Sequence, residues 1–466
     1  MSSAVYSRTR RPYLVPVFLG LWAAAIAVSP DLQTRLWLAL PALLVAVSLW
    51  TLEGRDRWLG GFLAAALLLP PLPIAWGDTG PHISLLLAAI GLFGGILWAR
   101  DWHVPATSLN LALAALLIVL LASVAQAAIH SGAAVAAGSL VRVALLGISA
   151  YAFFFTAYGP GAASGSLSLV PWIYGAGVVS ALFACVDFYF QFPAPAGFGP
   201  QFVWLESGVY RRAQGVFYDA GTLGNLCAFF LVMIAVVSAH SSRWKPVSRK
   251  ALAMGGAVLF AALILSYSRS SLLNVLTALA VLAWLHRRRI RLVRAGAILI
   301  SVAGGAALIT AGMFPQFFEA YWQRVLGSAE FFFSNPAGVL SGRLAAWQTL
   351  TAWVAAHPWQ ALIGLGYKTL PYSDYLGSPV VGDNMYLTLL VETGVLGLGA
   401  LVWLHVSLVR AAFRSSQAVD AKRSFFGAWM LCFWCGQIVQ MFSVDLLTYW
   451  RVLPLYFWVL ALALRP

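Results

Sequence analysis

Long runs of apolar residues, separated by short polar joints, fill almost the whole chain. The runs do not alternate residue by residue, as the strands of a membrane barrel would. Most are also longer than the ~10–14 residues of an average helix in a globular protein. They approach the ~20 residues that a helix needs to cross a bilayer. The pattern predicts spans over residues 13–29, 35–51, 58–76, 82–99, 106–128, 138–157, 168–190, 220–239, 250–266, 270–286, 292–313, 385–409, 424–441 and 447–464. That is about 12–14 transmembrane helices, an all-α polytopic membrane protein. Two stretches break the rhythm of short joints, 191–219, rich in Pro, Gly and aromatic residues, and 314–384. The expected organisation is therefore N-terminal transmembrane helices over 1–190, a loop over 191–219, central transmembrane helices over 220–313, a large loop over 314–384 and C-terminal transmembrane helices over 385–466. Inside the large loop, Leu344, Trp347, Leu350 and Val354 recur at helical spacing and predict an amphipathic helix lying along the membrane surface or over a cavity.

Composition sharpens this reading. The chain is 61% hydrophobic and 9% charged, against about 45–50% and about 25% in soluble domains. A soluble enzyme, a disordered chain and a nucleic-acid-binding module are excluded, and membrane lipid is the surrounding partner. The formal charge of +14 reports topology, because Lys and Arg accumulate in cytoplasmic joints. With the N-terminus inside, Arg55, Arg57, Arg100, Arg243 to Lys250, Arg287 to Arg294, Arg410 to Arg423 and Arg465 all fall on the cytoplasmic side. Joints near 77–81 and 129–137 carry no Lys or Arg, and both long stretches fall on the external side. Arg8, Arg10 and Arg11 precede a first apolar run without a small-residue cleavage site, so the run reads as an uncleaved helix. Cys432 and Cys435 lie one turn apart in an apolar run and read as packing.

The informative residues are the cations that violate this charge pattern: Arg35, Arg142, Arg211, Arg212, Arg269, Arg324, Arg343, Lys368 and Arg451. Arg35 and Arg324 read as paired or snorkelling side chains. Arg212, Arg269 and Arg343, with Arg211, Arg142, Arg451 and Lys368 behind them, are candidates to converge on an external phosphate site, because guanidinium matches phosphate oxygens in a bidentate way. Asp383 opens Asp383-Asn384-Met385-Tyr386, where the long loop enters a helix. It is either a helix cap or a general base beside the arginines. As a base, it must lie near them without a direct ion pair. Asn384, Tyr386 and His357, the one histidine of the 314–384 stretch, are candidate substrate contacts. No nucleotide-binding or metal-ligand motif occurs, so neither cofactor nor metal is expected.

Four stretches together resemble the bacterial O-antigen ligase and polymerase superfamily. They are Arg212-Ala213-Gln214-Gly215-Val216-Phe217; Ser268-Arg269 before an apolar helix; Gly342-Arg343 with Trp347, then Gly364-Leu365-Gly366; and Asp383-Asn384, nine residues, then Gly394-Val395-Leu396-Gly397. The first lacks the family's following Pro-Asn and has Tyr218-Asp219-Ala220 instead. The fourth carries Asp383 where ligases carry the histidine proposed as base. The resemblance covers roughly residues 205–400. It implies an integral membrane glycosyltransferase of GT-C-like fold in the bacterial inner membrane, acting on the periplasmic side. It also implies an inverting, metal-independent transfer from an undecaprenyl-pyrophosphate-linked glycan, with Asp383 as base and Arg212, Arg269 and Arg343 on the leaving group. Aromatics such as Trp204, Tyr210, Trp322, Tyr367, Tyr372 and Tyr375 are candidates to hold sugars.

The aspartate at 383 turns the reading toward a polymerase joining lipid-linked repeat units. The alternative is a ligase that moves a finished glycan to lipid A core or a protein. A transporter of lipid-linked oligosaccharide is the alternative of another class. It calls for paired halves and helices broken at mid-membrane, and the sequence shows neither.

Overall fold

The structure, a computed structural model, describes residues 57–72, 81–159, 165–194, 197–205, 208–239, 246–287, 319, 322 and 343–465. The spans expected at 13–29, 35–51 and 292–313, together with Arg35 and Arg324, lie outside the described residues. From Leu59 onward the chain forms one compact unit.

The described helices are α1 (Arg57–Leu68), α2 (Ile83–Leu97), α3 (Ser108–Tyr158), α4 (Gly165–Phe190), α5 (Ala220–Ala239), α6 (Arg249–Leu265), α7 (Arg269–Leu285), α8 (Arg343–Ala356), α9 (Met385–Ser416), α10 (Ala421–Gln440) and α11 (Leu453–Leu464). Four of them, α3, α4, α5 and α9, are long and apolar enough to cross a membrane, and the protein is an all-α polytopic membrane protein. Their starts are set by side chains that accept from otherwise orphaned N–H groups: Thr107 for α3, Ser248 for α6, Ser268 for α7, Asn384 for α9 and Asp420 for α10.

Two features depart from the sequence expectation. The joint expected at 129–137 is helical, so α3 runs through it and leaves helical geometry only at Gly132 (φ 84°). Its Ala-rich sequence favours helix more than the polar joints do. The stretch 191–219 folds back as an antiparallel hairpin, β1 (Phe202–Leu205) on β2 (Gly208–Arg211), with Phe202 opposite Arg211. Both strands carry the aromatic and β-branched residues that suit a pleated surface.

Helix α10 is the hub. It packs against α5, α7, α9 and α11, and nearly every residue from Ser424 to Trp434 is buried. At its end Gln440 ties three helices together. Its Oε1 accepts from Asn225 Nδ2 and Asn274 Nδ2, each at 2.9 Å, and its Nε2 donates to Ser271 Oγ at 3.2 Å. The donors of the two asparagine amides thus share one acceptor, as buried polar groups seek partners away from water. The ladder of connections also sorts the helix ends. The starts of α5, α7, α9 and α11 meet the ends of α6 and α10 at one pole, where Met385 N donates to Met441 O at 2.9 Å. The opposite pole carries Arg249, Lys250, Arg414, Lys422 and Arg423.

Candidate active site

The first pole holds a cavity of about 950 Å³. Arg142, Arg212, Arg269, Arg343 and Lys368 line it, with Asp219, Asp383 and Asp445. Its size suits a substantial ligand, since small-molecule sites span about 300–1,000 Å³. Five cations face three carboxylates, an excess that suits a doubly anionic ligand.

Each arginine arrives by a different local device. Arg212 follows β2. Its N–H extends the hairpin to Gln201 O at 2.9 Å, and its Nε donates at 2.8 Å to Ser266 O, the carbonyl just past α6. A cation there also meets the negative end of the helix dipole. Arg269 opens α7 directly after the cap Ser268. Arg343 opens α8. Arg142 lies within α3, 4.2 Å above the Tyr372 ring. The cations feel one another. Burial lowers the Arg269 guanidinium from its ordinary value, and the Arg343 and Arg212 charges lower it further. Burial also lowers Arg212, with Asp219 opposing and Arg343 adding to the shift. Arginine nevertheless keeps its proton, so like charges are held together in a partly dry place. An anion relieves that repulsion.

Asp383 stands at the mouth of α9 with φ 43°, in the left-handed region. The cap of α9 is its neighbour: Asn384 Oδ1 accepts from Leu387 N at 3.1 Å. Helix capping therefore does not account for Asp383. Two residues of α8, one turn apart on one face, hold it. Arg343 Nε donates to Asp383 Oδ2 at 2.9 Å, and Trp347 Nε1 donates to Gly382 O at 2.7 Å. This gives the Arg343 to Trp347 spacing its physical reason. It also corrects the expectation that the arginines avoid a direct ion pair. The pairing takes one oxygen and leaves the side chain 42% exposed. Tyr267 and Lys368, also on the cavity wall, share the left-handed conformation (φ 50° and 56°). Such strain persists only where surrounding structure enforces it, and it gathers at functional sites.

The other two carboxylates are engaged. Asp219 Oδ2 accepts from Thr222 N at 2.7 Å and Thr222 Oγ1 at 2.6 Å, and its Oδ1 accepts from Gln201 Nε2 at 3.2 Å. Asp445 forms an ion pair with Lys368. Asp445, Gln201 and Tyr449 are wall residues absent from the sequence-based candidate set. Their only signal is position: Asp445 and Tyr449 flank the external start of the span expected at 447–464, and Gln201 lies within the external 191–219 stretch.

Several sequence candidates sit elsewhere. Arg211 pairs with Asp187 at 3.3 Å. Arg451 donates to the carbonyls of Ala66 at 2.9 Å, Val216 at 2.7 Å and Leu69 at 2.5 Å, and so satisfies the end of α1. His357 stacks on Trp353. Tyr386 donates from its hydroxyl to Ile438 O at 2.7 Å. Neither Asn384 nor Tyr386 lines the cavity, and Tyr367 is buried beside it.

The glycine motifs have a mechanical reading. Helix α9 leaves helical geometry at Gly394 (φ 71°), so one helix is broken where none was expected. The break frees the carbonyls of Val391 and Glu392, which accept from Leu365 N at 3.0 Å and Gly366 N at 2.7 Å. The approach is close enough that a Cβ on Gly394 would lie 2.2 Å from Leu362 O, and one on Gly364 2.4 Å from the Glu392 backbone. The loop is thereby clamped to α9 at Leu365 and Gly366, just before Lys368, while Asp383 stands where the loop enters α9.

Residues 254–402 match a family model described as O-antigen ligase. The matched segment contains Arg269, Arg343, Lys368, Asp383 and the break at Gly394. The match supports the O-antigen ligase and polymerase superfamily and a glycosyltransferase of that type. No curated protein sequence matches the chain.

Proposed function

We propose, with the O-antigen ligase match as premise, that this protein is a polysaccharide polymerase of the bacterial inner membrane. It transfers glycan from an undecaprenyl-pyrophosphate-linked donor to a sugar hydroxyl of a second lipid-linked unit. One observation carries the reading: Arg212, Arg269, Arg343 and Asp383, from four separate stretches, line one cavity. A carrier or transporter needs no carboxylate held open beside a cluster of arginines; a transferase needs both.

The chemistry follows from the groups present. The acceptor hydroxyl oxygen attacks the anomeric carbon, and a new C–O bond forms on the face opposite the departing pyrophosphate. The old sugar–phosphate bond breaks, and its electrons leave on the pyrophosphate, which remains on the lipid. Arg212, Arg269 and Arg343 stabilise that growing negative charge. Asp383 takes the hydroxyl proton on the oxygen that Arg343 does not hold. Inversion follows from the single displacement. Metal independence is part of this reading: the three arginines supply the positive charge a metal would bring, and of the carboxylates in the cavity Asp445 is engaged by Lys368 and Asp219 by Thr222 and Gln201. The basic opposite pole supports a periplasmic position for the cavity, by the positive-inside rule.

Polymerase is preferred to ligase because an aspartate, not a histidine, stands at 383. Deleting the gene tests this. Single repeat units on lipid A core are the expected product; full-length chains left on the lipid carrier would make the protein a ligase.

A further inference from the structure

A second cavity of about 270 Å³ adjoins the first, and Gln201, Asp219, Thr448 and Tyr449 belong to both walls. Its other walls are mostly aromatic, Phe198, Phe217, Tyr218 and Trp450, completed by Pro71, His82, Thr222 and Arg451. These rings are held in place. Phe198 and Tyr218 lie 5.3 Å apart, Trp450 meets the edge of His82 at 5.7 Å, and the Arg451 guanidinium covers Phe217 at 4.6 Å. Tyr218 is kept in the left-handed region (φ 53°), and its carbonyl accepts from Gln214 Nε2 at 2.8 Å.

We propose that this second cavity binds the donor's sugar ring, the one bonded to the pyrophosphate. The inference rests on the functional reading above and names the subsite that reading lacks. A pyranose presents apolar C–H faces and a polar edge, and the cavity offers aromatic faces beside a carboxylate and an amide. A lipid tail would set hydrocarbon against the polar edge that Asp219, Gln201 and Thr448 form on the shared wall. A phosphate would meet the Asp219 charge, and three of the five Arg451 N–H groups are already held by backbone carbonyls. The volume admits a single ring and falls below the usual range for larger ligands. Position identifies the ring. The sugar lies one bond from the phosphate, and Asp219 on the shared wall is the carboxylate that acts most strongly on Arg212.

The test measures binding of two probes to the purified full chain in lipid nanodiscs. One is the polyprenyl pyrophosphate without sugar. The other is the lipid-linked repeat unit extracted from the host strain that lacks this chain. Trp450→Leu should weaken repeat-unit binding about tenfold, about 1.4 kcal/mol, and leave binding of the bare carrier unchanged. Phe198→Leu, at a half-buried position, should act in the same direction and serves if Trp450→Leu fails to fold. Equal loss for both probes, or no loss for either, overturns the proposal. Wild-type protein that binds both probes equally well sinks the sugar subsite alone. Failure of the wild-type protein to bind either probe sinks the functional reading as well.

Discussion

Two arginine–aspartate pairs, forty residues apart and less, separate function from scaffold. Arg343 and Asp383 are 26% and 42% exposed, and pairs of that kind contribute about 0–1 kcal/mol to stability. The Arg343 pair therefore orients groups and adds little to folding. Arg343→Ala should abolish transfer while shifting thermal unfolding little, and Arg343→Lys should restore only part of the rate, because lysine lacks the planar fork. Arg211 and Asp187 are 15% and 7% exposed. Removing one partner there strands a buried charge, at a cost of about 3–5 kcal/mol. Arg211→Ala should lower the unfolding midpoint yet leave turnover per folded molecule close to wild type. The adjacent pair Arg211-Arg212 shows what sequence can tell. That both violate the charge pattern is legible from position alone. Which one faces the cavity depends on the twist of a two-stranded hairpin and on a partner in α4.

At the scale of elements, the apolar runs announce the helices, because burial and span length are written in composition. The break in α9 is written differently. Gly394 looks like many other glycines, and its function depends on Leu362, which is near only after folding. Gly394→Ala should destabilise the protein by at least about 2 kcal/mol and lower activity, since the added methyl would collide with Leu362 O at 2.2 Å. Gly399 lies in the same helix with nothing within 4 Å of its added Cβ, so Gly399→Ala should be neutral or stabilising by about 0.5–1 kcal/mol. Unfolding midpoints of the two variants check this contrast. The amphipathic spacing of α8 was legible, as was its arginine. The direct Arg343–Asp383 pair was not, because electrostatic reasoning about a base favours distance, whereas the Trp347 bond to Gly382 O fixes the approach.

Across the whole molecule, the cationic cavity and the basic joints occupy opposite poles of one helical unit. Val419, fully exposed in the joint between α9 and α10, and Tyr375, exposed beside the cavity residue Tyr372, report on the two poles. Cysteines placed at 419 and 375 should react with a membrane-impermeant maleimide from opposite sides, 375 from the periplasm. Reaction of both from one side contradicts the arrangement. The central claim is that the cavity is where glycan is transferred and that Asp383 takes the proton. Its most direct test is Asp383→Asn, purified and supplied with the lipid-linked repeat unit. Asparagine keeps the shape and an oxygen for Arg343 but accepts no proton at neutral pH. The account predicts wild-type binding of the lipid-linked unit with no chain elongation; elongation at the wild-type rate would contradict it.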